Sequence, residues 1–345
     1  MRTSSGAGPG GGGGREASVV PDAEVRSYYD QPVLKAPVWR WPIPAYFFAG
    51  GLAGASATLA LAARVAGNDR LARRALLNSA GAVLVSPVLL VEDLGRPGRF
   101  ANMLRVLKPT SPMNTGAWLL AAMGPAAVGA AASELTGVAR GPGRALECAS
   151  GALGPLLATY TAVLVSDTAV PAWHEAGREL PFVFASGAAA SAGAAAVLLT
   201  PGPEAAPARR LALFAALAEL AGTRIMERRL GPEAGAPYGG GGRAARLSRW
   251  AAALTAGGAA LMAAGRRRRT LEVAGAATLL AGAAVERFAV VQAGTESALE
   301  PRATVAPQRR RLSGAARPGA RGQLGAGAQP GAGAQRGEET RPSPA

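Results

Sequence analysis

The chain contains a series of long apolar runs, and their lengths restrict it to a narrow range of folds. Each run has about 17–25 residues, the length that an α-helix needs to cross a ~30 Å hydrocarbon core. The runs lie at 43–63, 75–92, 116–134, 149–168, 181–199, 209–226, 249–265 and 270–291. A soluble helical bundle would show a polar face on each helix, but the runs at 117–132 and 182–199 show none. The sequence therefore predicts an all-α integral membrane protein, a bundle of about eight transmembrane helices, with Glu219 and Arg224 interrupting the sixth.

Composition and charge agree with a membrane location. Hydrophobic residues make up 49% of the chain and charged residues 17%, against about 25% charged residues in a typical soluble domain. The net charge of +15 comes mainly from Arg residues that lie between the apolar runs or near the chain ends, which is typical of topology control at a membrane surface. No basic segment is interleaved with aromatic residues as a nucleic-acid surface would be. We therefore expect membrane lipid, and no nucleic acid, among the partners.

The scarcity of metal-ligating residues limits the cofactors that this chain can hold. Cys148 and His174 are the single cysteine and the single histidine. An iron–sulfur cluster needs about four thiolate or imidazole ligands, so the chain cannot hold one alone. A haem with two His ligands, a structural zinc and an internal disulfide are excluded on the same grounds. Any redox chemistry must therefore use a diffusible cofactor or one carried by a partner, and we expect no metal site.

The chain ends differ in composition from the apolar body. Residues 1–36 begin with a Gly-rich run, and residues 293–345 are rich in Gly, Pro and Arg with few large apolar side chains. Such segments cannot bury enough surface to offset chain entropy. We predict a flexible N-terminal tail at 1–36, a transmembrane domain at 37–292 and a disordered C-terminal tail at 293–345.

Eight spans would divide the connecting segments between two membrane faces. One face, here called the longer-loop face, would carry both termini and three connections: 93–115, 168–180 and 227–248. The opposite, short-loop face would carry four connections: 64–74, 135–148, 200–208 and 266–269. The many Arg residues of the short connections favour the short-loop face as cytoplasmic by the positive-inside rule, although the 93–115 loop is also basic.

Three polar motif stretches converge on the longer-loop face, at 37–54, 92–113 and 160–175. They contain a Trp-Pro pair before a Gly-rich first helix, then DLGRPGRFANMLRVLKPTSPM and DTAVPAWHE. In these motifs the chain resembles the NrfD/PsrC family of polysulfide-reductase-type membrane subunits over roughly 37–292. The resemblance implies an eight-helix bundle in a bacterial cytoplasmic membrane. It also implies exchangeable quinone (menaquinone or ubiquinone), an iron–sulfur partner subunit and a molybdopterin catalytic subunit.

Quinone chemistry requires proton donors and acceptors beside an apolar slot. His174 has the one side chain here whose unperturbed pKa lies near neutral pH, and Asp167 lies near the end of a span. We predict both as catalytic residues. The alternatives are that His174 caps or docks a loop and that Asp167 caps a helix or pairs with an Arg.

Further residues are candidates for the quinone pocket and for partner docking. Trp41, Tyr46 and Trp173 would line the ring pocket or, alternatively, form an interface belt of aromatic residues. Asn102 and Asn114 would donate hydrogen bonds to a quinone carbonyl. The charged residues of the 93–115 loop would dock a partner or simply fix orientation: Asp93, Arg96, Arg105 and Lys108.

Glu219 and Glu286 fall inside predicted spans, where ionisable groups are costly. They would form a proton path or, with the neighbouring Arg287, an ion pair between spans six and eight.

Our leading hypothesis is a quinone-binding anchor subunit that passes electrons between an iron–sulfur partner and the quinone pool, and is not a complete enzyme alone. The first rival is a membrane anchor without a working quinone site. The second is a secondary transporter, which would show an internal repeat; the marked loops after spans two and four have no counterpart in sequence after six and eight.

Overall fold

A computed structural model describes residues 32–265 and 268–305. Most of both predicted tails therefore lies outside the described residues. The long helices are α1 (Pro42–Val65), α2 (Asp69–Leu94), α4 (Pro112–Thr136), α5 (Arg140–Ser166), α7 (Leu180–Leu199), α8 (Ala206–Ala234), α10 (Arg243–Ala264) and α11 (Arg269–Leu299). The short helices are α3 (Pro97–Met103), α6 (Pro171–His174) and α9 (Ala236–Gly239).

The eight long helices coincide with the eight predicted apolar runs, and the all-α membrane class is confirmed. Six of them are long and apolar enough to cross a membrane within the described part of the chain. The other two are α8 and α10, which carry more charged residues. The count of eight spans therefore stays a prediction. Helix α11 continues to Leu299, beyond the predicted domain boundary at 292, because apolar and small residues in its last turns still pack against the bundle.

The helices fall into two halves with the same arrangement. In the first half, α1 packs against α2 and α5, and α4 packs against α2 and α5. In the second half, α7 packs against α8 and α11, and α10 packs against α8 and α11. Each half also has a short helix in its longer-loop connection, α3 in one and α9 in the other. The similarity lies in which helices pack against each other, and the loop motifs of the first half have no counterpart in the sequence of the second.

Glycine permits the closest helix contact in the first half. A Cβ on Gly154 of α5 would overlap the carbonyl oxygen of Gly54 on α1, and a Cβ on Gly54 would overlap the carbonyl of Gly154. The Thr58 hydroxyl donates to the Gly151 carbonyl across the same interface, at 3.1 Å. Small residues at such crossings let helix backbones approach closely in a lipid environment, where no hydrophobic force drives helices together.

A charge network ties the four helices of the first half at the short-loop face. The Arg64 guanidinium of α1 pairs with Asp69 at 2.6 Å, Glu134 at 3.1 Å and Glu147 at 3.2 Å. These three carboxylates belong to α2, α4 and α5. Glu147 is buried and also pairs with Arg144 at 3.0 Å, so both of its oxygens have cationic partners.

The second half has a similar network at the same face. Glu272 of α11 accepts from Arg209 of α8 at 2.6 Å and from Arg269 at 2.9 Å. The Arg269 guanidinium also donates to the carbonyls of Val197 and Leu198 at the end of α7, both at 2.9 Å. Cationic groups at a helix C-terminus satisfy carbonyls that lack an intrahelical partner.

Replacing Gly154 with Leu is expected to destabilise the protein, because the new side chain would overlap the α1 backbone. Overpacking of this kind costs about 1–3 kcal/mol or more. The matched control is Gly81→Leu on α2, where nothing lies within 4 Å of an added Cβ. Thermal unfolding in detergent would show a lower melting temperature for G154L only; equal melting temperatures would contradict the proposed contact.

Candidate functional site

Asn114 shapes the loop between α2 and α4. Its side-chain oxygen accepts from the Lys108 amide at 2.6 Å, and its amide group donates to the carbonyls of Met103 and Val106 at 2.7 and 2.9 Å. The Trp118 indole donates to the same Val106 carbonyl at 3.1 Å. Both amide hydrogens of Asn114 are therefore used by the backbone, which corrects its predicted role as a quinone donor.

Trp173 anchors the short helix α6 inside the bundle. Its indole donates to the Val290 carbonyl of α11 at 2.7 Å, and its ring stacks on Trp39 at 5.0 Å between centroids. Gly294 makes this approach possible, because a Cβ there would overlap the Trp173 ring. Trp173 is 1% exposed, which does not fit an interface belt. It lines neither the cavity between the helices of the first half nor the cavity of the second half, and its role in a quinone pocket stays a prediction.

His174 and Asp167 lie on the surface. Helix α6 begins at Pro171 and makes a single turn that points Trp173 inward, and His174, the next residue, is exposed. Asp167 is the exposed C-cap residue of α5. Neither side chain lines a described cavity. The structure therefore does not bring the two predicted catalytic residues into a pocket. In the single turn of α6, Trp173 points into the bundle and the next side chain, His174, points outward.

A cavity of about 90 Å³ lies instead between the four helices of the first half, near the longer-loop face. We call it the first-half cavity. Its walls come from the segment before α1 and from α1, α2, α3, α4 and α5. They are formed by Trp39, Ile43, Tyr46, Phe47, Leu90, Asp93, Leu94, Met103, Met113, Ala117, Tyr160 and Leu164.

The polar groups of the first-half cavity are few. Tyr46 is 1% exposed, and its hydroxyl has no hydrogen-bond partner among the described residues. Asp93, at the end of α2, is half-buried. Tyr160 on α5 lies edge-on to Tyr46 with ring centroids 6.5 Å apart. A buried polar atom without a partner calls for an explanation such as a ligand, and a mostly apolar cavity with a few convergent polar groups is typical of a small-molecule site.

The cavity agrees in part with the residues predicted from sequence. Tyr46 is among its lining residues, and its role in binding quinone stays a prediction, whereas Trp41 is 59% exposed and Asn102 is also exposed. Asp93 was predicted to dock a partner, but it contributes to the cavity wall. Trp41 and Asn102 do not line the cavity, because each lies on the outward side of its segment.

Sequence reasoning missed two aromatic walls of the cavity, Trp39 and Tyr160. The signal for Tyr160 is indirect: it lies in a motif stretch, and its ring fills the space that a side chain at Gly116 would take. Trp39 precedes the first helix, where an aromatic residue is ordinarily read as an interface residue.

Exposed cations surround the loop beside the first-half cavity. Arg96, Arg105 and Lys108 are all exposed. Their predicted docking role stays a prediction. Within residues 32–265 and 268–305, no three His, Cys, Asp or Glu side chains are grouped so that they would hold a metal ion.

Glu219 and Glu286 are buried in the second half and line another cavity. Glu286 pairs with its neighbour Arg287, whereas neither oxygen of Glu219 has a hydrogen-bond partner in the described part of the chain. The predicted ion pair between spans six and eight therefore does not form, because the guanidinium pairs with the carboxylate next to it on α11.

Comparison with known families agrees with this geometry. A family model described as "Polysulphide reductase, NrfD" matches residues 31–223. The match covers more than half of the 345 residues and includes all the walls of the first-half cavity. No curated protein sequence matches the chain. The chain therefore belongs to the NrfD family, whose members are membrane subunits of oxidoreductase complexes.

Proposed function

We propose that this NrfD-family subunit binds quinone and passes electrons between a partner iron–sulfur subunit and the quinone pool of a bacterial cytoplasmic membrane. The observation that carries the proposal is the buried Tyr46 hydroxyl, which has no hydrogen-bond partner among the described residues and belongs to a side chain that lines a mostly apolar cavity. Burying a hydroxyl without a hydrogen bond costs about 1–3 kcal/mol. A quinone carbonyl, bound in the cavity, would accept that hydrogen bond.

The walls of the first-half cavity fit a flat apolar ring. Trp39 and Phe47 form one aromatic side, with ring centroids 5.9 Å apart in an edge-on arrangement. Met103 and Met113 close the side towards the loop, and methionine adapts its shape to an aromatic ligand. Bound quinone supplies two-electron, two-proton redox chemistry.

Asp93 is placed to exchange protons with water. It lies in the cavity wall and is half-buried, so it faces both the cavity and the aqueous loop. Arg40 donates to the Glu92 carbonyl at 2.8 Å and thereby ties the segment before α1 to the end of α2. This contact holds Asp93 near Trp39 and Tyr46 in one site, where general acid–base catalysis requires fixed geometry.

Electrons must reach the first-half cavity from another subunit. The chain has one cysteine and one histidine, too few to ligate an iron–sulfur cluster. The exposed Arg96, Arg105 and Lys108 beside the cavity would attract an acidic surface of the iron–sulfur subunit. A molybdopterin subunit would then carry the catalytic site for the second substrate.

The alternative is a membrane anchor that docks the same partner and has no working quinone site. The apolar cavity with an unpartnered hydroxyl favours quinone binding over this alternative. If the wild-type subunit binds no quinone but still co-purifies with its iron–sulfur partner, the anchor hypothesis replaces ours.

Replacing Tyr46 with Phe is expected to weaken quinone binding about five- to tenfold, the effect of losing one hydrogen bond of about 1–1.5 kcal/mol. Titration of a soluble menaquinone analogue, followed by quenching of tryptophan fluorescence, would measure the dissociation constant. The matched control is Tyr238→Phe, which removes a similarly buried, unpartnered hydroxyl from the second half. An equal effect of both variants would contradict the site.

Replacing Asp93 with Asn is expected to slow quinone reduction by the intact complex while leaving quinone affinity within about twofold, because Asn keeps the shape but cannot exchange a proton. The turnover rate and the dissociation constant for quinone should be measured separately. The control is the double variant Asp167→Asn, His174→Gln, which changes two exposed residues outside the cavity. If that control abolishes activity and D93N does not, the original assignment of Asp167 and His174 holds instead.

Reversing the charges of Arg96, Arg105 and Lys108 to Glu is expected to release the iron–sulfur subunit, because like charges then face its surface. Co-purification at increasing salt would measure the loss. The control reverses Arg73, Arg74 and Arg140, exposed cations of the short-loop face. Loss of the partner only in the control would place docking on the opposite face.

A further inference from the structure

The second half contains a cavity of about 230 Å³ that the proposed function does not use. We call it the second-half cavity. It lies between α8, α9, α10 and α11. Its lining includes Glu219, Thr223, Glu227, Tyr238, Arg249 and Glu286.

The second-half cavity extends from the longer-loop face into the bundle. Gly239 and Arg249, at its outer end, are exposed and belong to the longer-loop connection and the first turns of α10. Glu219 lies near the middle of α8, twelve residues before the break at Gly231. At 1.5 Å per residue this corresponds to about 18 Å along the helix, so the cavity reaches from the surface into the interior of the bundle.

Glu219 is a buried carboxyl group without a donor. It is 2% exposed, and neither of its oxygens has a hydrogen-bond partner among the described residues. Its carboxylate is also packed against α7, since a Cβ on Gly187 would lie 2.5 Å from Oε1. An ionised carboxylate in such a place is strongly disfavoured unless something balances its charge.

Among the described residues, the one buried cation nearby, Arg287, is shared between two carboxyl groups. Arg287 pairs with Glu286, donates to the Phe184 carbonyl at 2.9 Å and lies 3.8 Å over the Phe184 ring. Two carboxyl groups thus share one guanidinium, and Oε1 of Glu286 is also without a partner. The site therefore needs one further positive charge.

The other groups that face Glu219 do not supply it. On α10, the hydroxyl-bearing residues Ser248 and Thr255 line the cavity. On α7, the residue packed against the Glu219 carboxylate is Gly187, which has no side chain to ionise. Burial, and then the nearby carboxylates Glu286 and Glu227, raise the pKa of the Tyr238 hydroxyl, so it stays neutral. The charged residues of the outer part of the cavity are Arg224, Glu227 and Arg249.

We propose that the second-half cavity is a proton inlet from the longer-loop face and that Glu219 is the group at which the proton binds. A proton from water at the mouth of the cavity adds to the Glu219 carboxylate and gives the neutral acid, which balances the charge of the three buried groups. The close packing of the carboxylate against α7 leaves room for a proton more readily than for a hydrated metal ion. The inference rests on this cavity alone and does not depend on quinone binding.

Dicyclohexylcarbodiimide tests the proton at Glu219, because this apolar reagent modifies protonated carboxyl groups within a membrane. We expect peptide mass mapping of the full-length protein in liposomes to find the adduct on Glu219 and to lose it in Glu219→Gln. Glu147 is the internal control, since it is equally buried but paired with Arg64 and Arg144. Modification of Glu147 but not Glu219 would overturn the proposal, and protection of Glu219 by sodium chloride would identify a sodium site instead.

Cysteine accessibility tests the inlet. In a Cys148→Ser background, Thr223→Cys should react with a membrane-impermeant methanethiosulfonate, and Ala216→Cys, which is fully buried, should not. The reaction is expected from the side on which Arg105→Cys reacts, and not from the side of Arg140→Cys. Labelling of Thr223→Cys from the Arg140 side, or no labelling in folded protein, would overturn the assigned direction or the inlet itself.

Discussion

Close backbone contact between helices is the constraint on which the rest of this structure depends. Inside a bilayer, lipid tails solvate apolar side chains as well as a neighbouring helix does, so association depends on packing and on buried polar contacts. The contact of Gly54 with Gly154 in the first half and of Gly258 with Gly275 in the second brings backbones together without side chains between them.

That constraint explains why the two membrane faces differ. At the short-loop face, ion-pair networks around Arg64 and Glu272 join helices within each half and satisfy their charges. At the longer-loop face, the connections are longer and include α3, α6 and α9, so the helices separate and two cavities open. Both proposed sites lie towards the longer-loop face.

Much of the fold could be predicted from the sequence, and much less of the site. The lengths of the apolar runs predict the helices, because the thickness of the hydrocarbon core sets how many residues a span needs. Counting the spans then assigns each motif to one face of the membrane. The direction in which a side chain points does not follow from run length. Trp173 and His174 are adjacent, yet Trp173 is buried and His174 is exposed. Asn114 has the chemistry of a ligand donor but serves three backbone groups of its own loop. The role of such a side chain depends on which residues it contacts in the folded protein. The spacing of apolar residues in the sequence does not reveal those contacts.

The repeated helix arrangement gives the two cavities a common origin in packing but different chemistry. Each lies towards the longer-loop face, and each is lined by a buried tyrosine whose hydroxyl has no hydrogen-bond partner in the part of the chain that the structure describes, Tyr46 in one and Tyr238 in the other. Only the second adds two buried carboxyl groups that share one guanidinium, at Glu219, Glu286 and Arg287. A mostly apolar cavity lined by Tyr46, Tyr160 and Asp93 suits a neutral ring, whereas an unbalanced buried charge requires a small cation. The helices α1, α7 and α11 pack together between the halves. Val290 of α11 lines the second cavity, and its carbonyl accepts from Trp173, which stacks on the Trp39 wall of the first, so a series of direct contacts joins the two cavities.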